Sequence, residues 1–193
     1  MKTPDGWDIR AISTLFKDSH LQVFREEVVP PGEDRVRRWT VVRRKQAVVI
    51  APVTADGKFL LIHQARIPVR KFLWEFPAGQ IDDALQPEMS TIRATALREL
   101  TEETGYSLTA DGALIYLGHY YSSQGYSDET PHLFLARPVH PTGSGYQADD
   151  SETIVESREF TLAELSSMIA DSVIQDANTL ATFARLSARK LIP

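Results

Sequence analysis

Three glutamates crowd into the stretch RELTEETGY, residues 98–106, as Glu99, Glu102 and Glu103. On a helix, positions three and four apart share one face, so the three carboxylates would converge. Like charges at that spacing destabilise a helix by roughly 0.2–0.5 kcal/mol per pair. A bound cation would remove this repulsion, whereas an ordinary solvated acidic face is the alternative for such a run.

The chemistry that such a face suits is metal-assisted attack on phosphorus. Mg²⁺ takes oxygen ligands and is usually held by one or two carboxylates together with substrate phosphates. A cation held there would act as a Lewis acid and would activate a water molecule. The three glutamates are therefore candidate metal ligands.

The segment from Gly79 to Tyr106 resembles the Nudix box, in which a glycine and a glutamate precede Arg-Glu-apolar-x-Glu-Glu-x-Gly-apolar. The right half matches at every fixed position, from Arg98 to Tyr106. The left half departs from the pattern, because the spacing after Gly79 is longer and Ser90 occupies the place of the first glutamate. Glu88 is the candidate to replace it.

Residues 60–82 narrow the resemblance to the ADP-ribose and nucleoside-diphosphate-sugar pyrophosphatases. They contain Gln-x-Arg followed by Glu-apolar-Pro-Ala-Gly. The resemblance implies that Arg66 contacts the diphosphate or the distal sugar and that Glu75 lies beside the site. It also implies that the carbonyl of Ala78 is a metal ligand. A planar guanidinium suits a diphosphate, although an isolated arginine is more often a surface residue.

A second segment, SSQGYSDE at 122–129, resembles the Ser-Pro-Gly-x-Ser-x-Glu motif of the same subfamily, with Gln124 replacing the proline. The resemblance places Gly125 and Glu129 in a substrate loop. In such relatives an aromatic residue of the N-terminal sheet commonly stacks on the nucleobase, and Trp39 is the candidate here. Packing of Trp39 in a core or an interface is an equally open alternative.

The resemblance assigns the site as follows. The metal ligands would be Ala78, Glu99, Glu102 and Glu103, and Arg98 and Glu103 would take part in catalysis. In relatives the general base often lies on a loop beyond the box, where this chain offers Asp149, Asp150 and Glu152. We favour Glu152, which begins the next strand, then Asp150; a plain solvated acidic loop is the alternative.

Composition limits the remaining possibilities. The chain has 193 residues, 42% of them hydrophobic, a net charge of −5 and no cysteine. It is long enough for one sizeable core, and its acidic balance argues against nucleic-acid binding. The absence of cysteine excludes disulfides and thiolate metal sites. No apolar run is long enough to span a bilayer, so we expect a soluble cytoplasmic protein without membrane contacts.

Hydrophobic patterning predicts the elements that would carry these residues. Strands are predicted at 21–29, 35–43, 46–54, 58–64, 113–120, 132–139 and 152–160. A helix is predicted over 89–104 with Gly105 as its stop, a second begins at the Thr161 and Glu164 capping box, and a third spans 176–190. Residues 140–150 are predicted to form a loop. Trp74 is predicted to be a core residue.

Together with this patterning, the resemblance implies an α/β (α+β) fold: a Nudix domain over 46–193 with a mixed β-sheet between helices, and an N-terminal antiparallel β-extension over 1–45 at a homodimer interface. The predicted activity is Mg²⁺-dependent hydrolysis of nucleoside diphosphate sugars, ADP-ribose above all, with Mn²⁺ as a substitute metal. Two alternatives stay open. One is another Nudix substrate, GDP-mannose or a dinucleoside polyphosphate, and the other is an inactive nucleotide- or RNA-binding module.

Overall fold

A computed structural model describes residues 1–82, 86–143, 145 and 153–192. Their contacts divide the chain into two units, one of Met1–Gln46 with Tyr121–Thr130 and one of Ala47–Tyr120 with Pro131–Pro193. The first unit therefore includes a segment from far along the chain, which local sequence patterns do not reveal. The functional division that the sequence predicts between residues 45 and 46 stays a prediction.

The first unit contains an antiparallel three-stranded sheet, β1 (Asp8–Lys17), β2 (Leu21–Val29) and β3 (Arg37–Arg44). β2 has its predicted bounds, and β3 begins two residues later than predicted. β1 was not predicted. Its register shifts between Ile9 and Ala11 and again between Thr14 and Phe16. These irregularities interrupt the two-residue alternation on which a strand prediction depends.

The second unit contains a mixed sheet with strand order β10-β5-β4-β9-β8, to which β6 adds beside β5 and β7 beside β4. β4 and β9 pair in parallel, and the other pairings in this sheet are antiparallel. The strands of this sheet are β4 (Ala47–Thr54), β5 (Phe59–Arg66), β6 (Lys71–Glu75), β7 (Ala78–Gln80), β8 (Tyr106–His119), β9 (Pro131–Pro141) and β10 (Ile154–Phe160).

Helices pack on both faces of this sheet, as the alternation along β4 shows. Val48 and Ile50 join the core cluster that contains Leu100 of α1 (Met89–Thr104). Val49 and Ala51 join the opposite cluster, with residues of α2 (Leu162–Ala170) and α3 (Ala177–Ala188). A strand buried on both faces has a nearly continuous apolar sequence. The predicted mixed sheet between helices is confirmed.

The helix ends follow local chemistry closely. Gly105 ends α1 with a φ of 72°, in the left-handed region that favours glycine, and its N–H donates to the carbonyl of Thr101. Thr161 and Glu164 form the predicted capping box of α2. Asp176 caps α3 by accepting from the N–H of Thr179. These three ends agree with the sequence predictions because each depends on residues only three or four positions apart.

The sequence patterns predict neither of the two short strands β6 and β7. β6 (KFLWE) has three consecutive apolar residues and so no alternation, and β7 has only three residues, too few for a periodic pattern. β7 is a strand because Ala78 and Gly79 pair with Val49 and Val48 of β4. That pairing is a tertiary contact, so a local pattern does not predict it.

Within the described residues, no helix combines the length and the apolar character that crossing a bilayer requires.

A buried histidine lies where β8 and β9 pair. His132 is opposite His119, and its Nδ1 lies 3.0 Å from the hydroxyl of Tyr116. Burial, together with the neighbouring His119, lowers the pKa of His132 below its ordinary value. His132 therefore stays neutral in the folded protein at a pH where an unfolded chain would already take up a proton.

We predict that the free energy of unfolding falls as the pH is lowered through about 6.5, the ordinary histidine pKa. Below that pH the unfolded chain binds a proton that folded His132 does not, and the loss, at most about 1.4 kcal/mol per pH unit, ends at the lower folded pKa. Urea denaturation between pH 5 and 8 measures it. His132→Gln should flatten this dependence; curves of equal slope for both proteins would contradict the assignment.

Candidate active site

The face of α1 that packs on the sheet carries two of the three predicted glutamates. Glu99 is 7% exposed and Glu103 is 1% exposed, and both are near Leu100 on the buried side of the helix. Glu102 lies at the edge of that face and is partly exposed. Burial of two carboxylates in one helix face is costly unless each has polar or cationic partners.

Glu99 lies against the backbone of Gly79 on β7. A Cβ atom built on Gly79 would lie 2.1 Å from the Cδ and Oε1 atoms of Glu99. Real Cβ atoms do not approach other heavy atoms so closely, so any side chain at position 79 would displace the Glu99 carboxylate from this position. The structure thereby explains the glycine that opens the Nudix-like segment.

Glu103 is held by the residue just before that glycine. The N–H of Ala78 donates to Oε2 of Glu103 at 2.7 Å. Glu99 and Glu103 therefore lie against adjacent residues of β7, on one side of the sheet. Ala78, which the resemblance names as a metal ligand through its carbonyl, contacts this carboxylate through its N–H.

Arg98 neutralises part of the acidic face. Its Nη2 donates to Oε1 of Glu99 and its Nη1 donates to Oε2 of Glu102, each at 2.5 Å. Partial burial disfavours the charged guanidinium, but the charges of Glu99 and Glu102 hold the pKa of Arg98 above its ordinary value. The repulsion expected from the sequence is therefore offset at least by Arg98.

Arg66 and Glu75 form a second charged pair in this unit. Nε of Arg66 lies 3.0 and 3.1 Å from the two carboxylate oxygens of Glu75, and Nη2 lies 2.6 Å from Oε2. Glu75 is buried, and burial raises its pKa, while the guanidinium of Arg66 opposes that rise. A buried carboxylate next to a bidentate arginine holds the arginine in one orientation.

These residues suit a hard cation, since two glutamates present oxygen ligands from a rigid helix beside Ala78 and Gly79. Among the described residues, however, no group of three Asp, Glu or His side chains is already gathered in a metal-holding arrangement. Glu102 is more exposed than the other two and pairs with Arg98, which also pairs with Glu99. The metal ligand set stays a prediction.

The predicted substrate-loop residues lie in the first unit. The indole N–H of Trp39 donates to the carbonyl of Gly125 at 2.9 Å. Asp128 accepts from Nε of Arg43 and from the backbone N–H of Arg44. Segment 121–130 is thereby attached to β3, and the structure brings Trp39 and Gly125 together.

Glu129 takes part in the same attachment. Its Oε1 lies 3.1 Å from Nη1 of Arg44, and its Oε2 accepts from the hydroxyl of Ser122 at 2.7 Å. The predicted role of Glu129 in a substrate loop stays a prediction, and these contacts give the residue a second, structural role.

The contacts described above do not include several of the predicted site residues. Asp149, Asp150 and Glu152, the candidate general bases, lie outside the described residues. Glu88 is the N-cap residue of α1 and makes no side-chain capping hydrogen bond. Its suggested replacement of the first box glutamate stays a prediction.

Sequence reasoning missed Thr179 and Asp128. Thr179 is fully buried, and its hydroxyl accepts from the N–H of Phe76 at 2.8 Å, across 103 sequence positions. Asp128 lies inside the segment SSQGYSDE, but its contacts to β3 span more than 80 sequence positions. Since both contacts are tertiary, the only local signal was the helix-capping pattern around Asp176 and Thr179.

This fold and this helix–strand site identify the class of protein. The NUDIX domain model matches residues 43–183, most of the chain, and the protein therefore belongs to the Nudix family and is a hydrolase.

Individual relatives are similar over most of their length. The ADP-ribose pyrophosphatase of Bacillus subtilis (strain 168) is 32% identical over 165 residues, 86% of this chain and 84% of the relative. The methanol dehydrogenase activator of Bacillus methanolicus is 32% identical over 79% of this chain and 76% of its own. The crystal structure of an ADP compounds hydrolase has a TM-score of 0.76 and covers 97% of this chain and 96% of its own; at 18% identity this likeness shows the fold alone.

The contact of Gly79 with Glu99 predicts the effect of Gly79→Ala. The nearest atoms that the added methyl would meet all belong to the Glu99 side chain, which can move, so the variant should lose little stability while the carboxylate is displaced. We expect a folded protein whose hydrolytic turnover falls about tenfold to a hundredfold, because the carboxylate is misplaced. Thermal unfolding and steady-state kinetics measure the two effects.

Gly32→Ala is the control for this variant. A Cβ atom at Gly32 has no neighbour within 4 Å, yet Gly32 has a positive φ of 77°, so the substitution should reduce stability without changing turnover. Equal turnover of Gly79→Ala and the unsubstituted protein would show that the Glu99 position does not matter for catalysis.

Proposed function

We propose that this protein hydrolyses the diphosphate bond of nucleoside diphosphate sugars in a Mg²⁺-dependent reaction, with ADP-ribose as the leading substrate. The products would be a nucleoside monophosphate and a sugar phosphate. One observation carries the proposal: Glu99 and Glu103 lie side by side against Gly79 and Ala78. Similarity to an ADP-ribose pyrophosphatase over most of its length supports the choice of substrate.

The metal would be held by Glu99, Glu102, Glu103 and the carbonyl of Ala78, with Mn²⁺ as a substitute. When bound, it would supply a Lewis acid that neutralises charge on the phosphoryl oxygens and lowers the pKa of a water molecule. Arg98, paired with Glu99 and Glu102, would keep those carboxylates oriented. Glu103 combines deep burial with a backbone contact, so its oxygens would be the best positioned of the three.

Arg66 would bind the diphosphate or the distal sugar. Its Nε and Nη2 are committed to Glu75, whereas Nη1 has no hydrogen-bond partner among the described residues. A guanidinium held by a buried carboxylate loses little side-chain entropy on binding an anion. Glu75 would thus act on the substrate through Arg66.

The nucleobase would stack on Trp39. The indole is 57% exposed, and its N–H is held by the carbonyl of Gly125, which limits rotation of the ring. A fixed, exposed indole offers a π-face to any base. This supports base binding but does not select adenine.

The water that attacks phosphorus would lose its proton to a carboxylate, for which Glu152 and then Asp150 remain the predicted residues. Both lie outside the described residues. A cytoplasmic location likewise stays a prediction.

The alternatives differ in how well the site supports them. GDP-mannose or a dinucleoside polyphosphate would use the same carboxylates and the same arginine, so a substrate screen must decide. An inactive nucleotide- or RNA-binding module is less well supported, because the helix from Arg98 to Gly105 keeps every residue of the resemblance and the net charge is −5.

A screen of nucleotide sugars and dinucleoside polyphosphates tests the function, with release of phosphate after phosphatase treatment as the measurement. We expect ADP-ribose to be cleaved fastest, and only with Mg²⁺ or Mn²⁺ present. Glu103→Gln should lower turnover by orders of magnitude. Glu102→Gln, at the exposed edge of the site, should lower it too and raise the Mg²⁺ concentration needed for half-maximal rate.

Asp171→Asn is a matched control, a carboxylate-to-amide change at an exposed residue at the C-terminal end of α2, which packs on the face of the sheet opposite α1. Its turnover should stay at the level of the unsubstituted protein. Absence of hydrolysis with every compound would refute the proposed function. Full activity of Glu102→Gln or Glu103→Gln at saturating Mg²⁺ would show that the substituted glutamate is not a metal ligand.

We also propose a homodimer that forms through the first unit. Many large apolar side chains are exposed on this small unit, among them Trp7, Ile12, Leu15, Phe16 and Trp39. A cleft of about 570 Å³ with a largely apolar lining lies within it, bounded in part by Trp7 and Trp39. Many exposed large apolar side chains together with a cleft of apolar lining are typical of interaction surfaces.

Light scattering should give twice the chain mass for the unsubstituted protein. Ile12→Glu places a charge on the exposed surface of β1 and should shift the protein toward monomer. Val173→Glu, at a similarly exposed apolar residue of the other unit, should leave the dimer intact. A monomeric unsubstituted protein with full activity would refute the dimer.

A further inference from the structure

The short turn between β6 and β7, residues 75–78, carries both halves of the candidate site. At its start, Glu75 holds the guanidinium of Arg66. At its end, the N–H of Ala78 holds the carboxylate of Glu103. The position of this turn therefore sets the distance between the proposed substrate arginine and the proposed metal ligand.

A residue of α3 holds the middle of the turn. The N–H of Phe76 donates to Oγ1 of Thr179 at 2.8 Å, and both residues are fully buried. α3 packs with the core cluster that contains Phe76, whereas Glu103 comes from α1. The turn is thus attached to helices of both core clusters.

The Thr179 hydroxyl is itself fixed. It donates to Oδ2 of Asp176 at 2.8 Å, and the backbone N–H of Thr179 donates to the same oxygen at 2.7 Å. Because the hydroxyl proton is committed to Asp176, its lone pairs are directed to other donors, including the N–H of Phe76. Helix capping and support of the turn are accordingly performed by one pair of residues.

The charge of Asp176 reaches the same turn. Burial raises the pKa of Glu75, Arg66 opposes this, and the negative charge of Asp176 raises it further. Burial disfavours the charged form of Arg66, whereas Glu75 and, to a smaller extent, Asp176 favour it and raise its pKa. The α3 cap is therefore close enough to the Arg66–Glu75 pair to act on it electrostatically.

We propose that Thr179, with its hydroxyl oriented by Asp176, is a positioning residue that sets the turn 75–78 and through it both Arg66 and Glu103. This inference rests on the proposed function, in which those two residues serve the reaction. Loss of the hydroxyl leaves a buried N–H of Phe76 without its partner, so the turn must shift to regain one. A shift of about 1 Å at such a site can cost about a hundredfold in rate.

Thr179→Val tests the proposal, because valine keeps the shape of threonine and lacks the hydroxyl. Thr179→Ser, which keeps the hydroxyl, is the conservative rescue. Thr182→Val is the matched control: Thr182 is equally buried on α3, but its hydroxyl donates only to the carbonyl of Asn178. Each variant is assayed for kcat, KM and the Mg²⁺ concentration at half-maximal rate.

We expect Thr179→Val to lower kcat/KM by about tenfold to a hundredfold and to raise the half-saturating Mg²⁺ concentration. Thr179→Ser and Thr182→Val should stay within about threefold of the unsubstituted protein, well below that effect. If Thr179→Val and Thr182→Val lose stability alike and both keep normal kinetics, Thr179 is only a core residue and the proposal is overturned.

Amide hydrogen exchange followed by NMR provides a readout that needs neither substrate nor turnover. In Thr179→Val the amide of Ala78, two residues from the altered contact, should exchange faster relative to amides of β4. Unchanged exchange at Ala78 would overturn the positioning role for any substrate. If the unsubstituted protein cleaves no nucleotide sugar but Ala78 exchange responds, the proposed function fails while the coupling of α3 to the turn stands.

Discussion

The approach of Glu99 to Gly79 is the constraint on which the site depends. The helix and the strand approach so closely that a methyl group on Gly79 would overlap the carboxylate. That approach places Glu103 within hydrogen-bond distance of the Ala78 N–H. The approach also depends on Ile92, Ala96 and Leu100 of α1, which share a core cluster with residues of β4 beneath the helix. The acidic face is thus supported by the core that lies directly behind it.

Burial of these carboxylates sets the electrostatic problem that the neighbouring residues solve. A buried charge is tolerated only when hydrogen bonds or opposite charges replace its lost hydration. Arg98 donates hydrogen bonds to Glu99 and Glu102. The N–H of Ala78 donates to Glu103, and the guanidinium of Arg66 donates to Glu75. Each of these contacts also fixes a direction in space, so the groups that stabilise the charges are the ones that orient them for binding.

The two units hold their proposed site residues by different kinds of contact. In the second, two cores cover the sheet and hold the carboxylates rigidly. In the first, segment 121–130 is attached to β3 by a hydrogen bond from Trp39 and by ion pairs of Arg43 and Arg44 with acidic residues of the segment. Exposed ion pairs contribute little stability, about 0–1 kcal/mol each, so direction rather than strength is what these contacts supply.

Local signals in the sequence were sufficient to predict the bounds of α1 with Gly105 as its stop, the capping box of α2, the start of α3 at Asp176, and the family resemblance carried by Arg98 to Tyr106. The sequence also indicated that Glu99, Glu102 and Glu103 share one face, because the helical period alone puts residues three and four apart on one side of a helix. Tertiary contacts determine which carboxylates are buried, that Arg66 pairs with Glu75, and that Thr179 supports the turn beside the site. The tertiary structure also revealed β1, β6 and β7, which are irregular, lack alternation or are too short for a periodic pattern. These features depend on backbone and side-chain groups brought together from distant parts of the chain, and the distances between such groups are fixed by packing rather than by any local period.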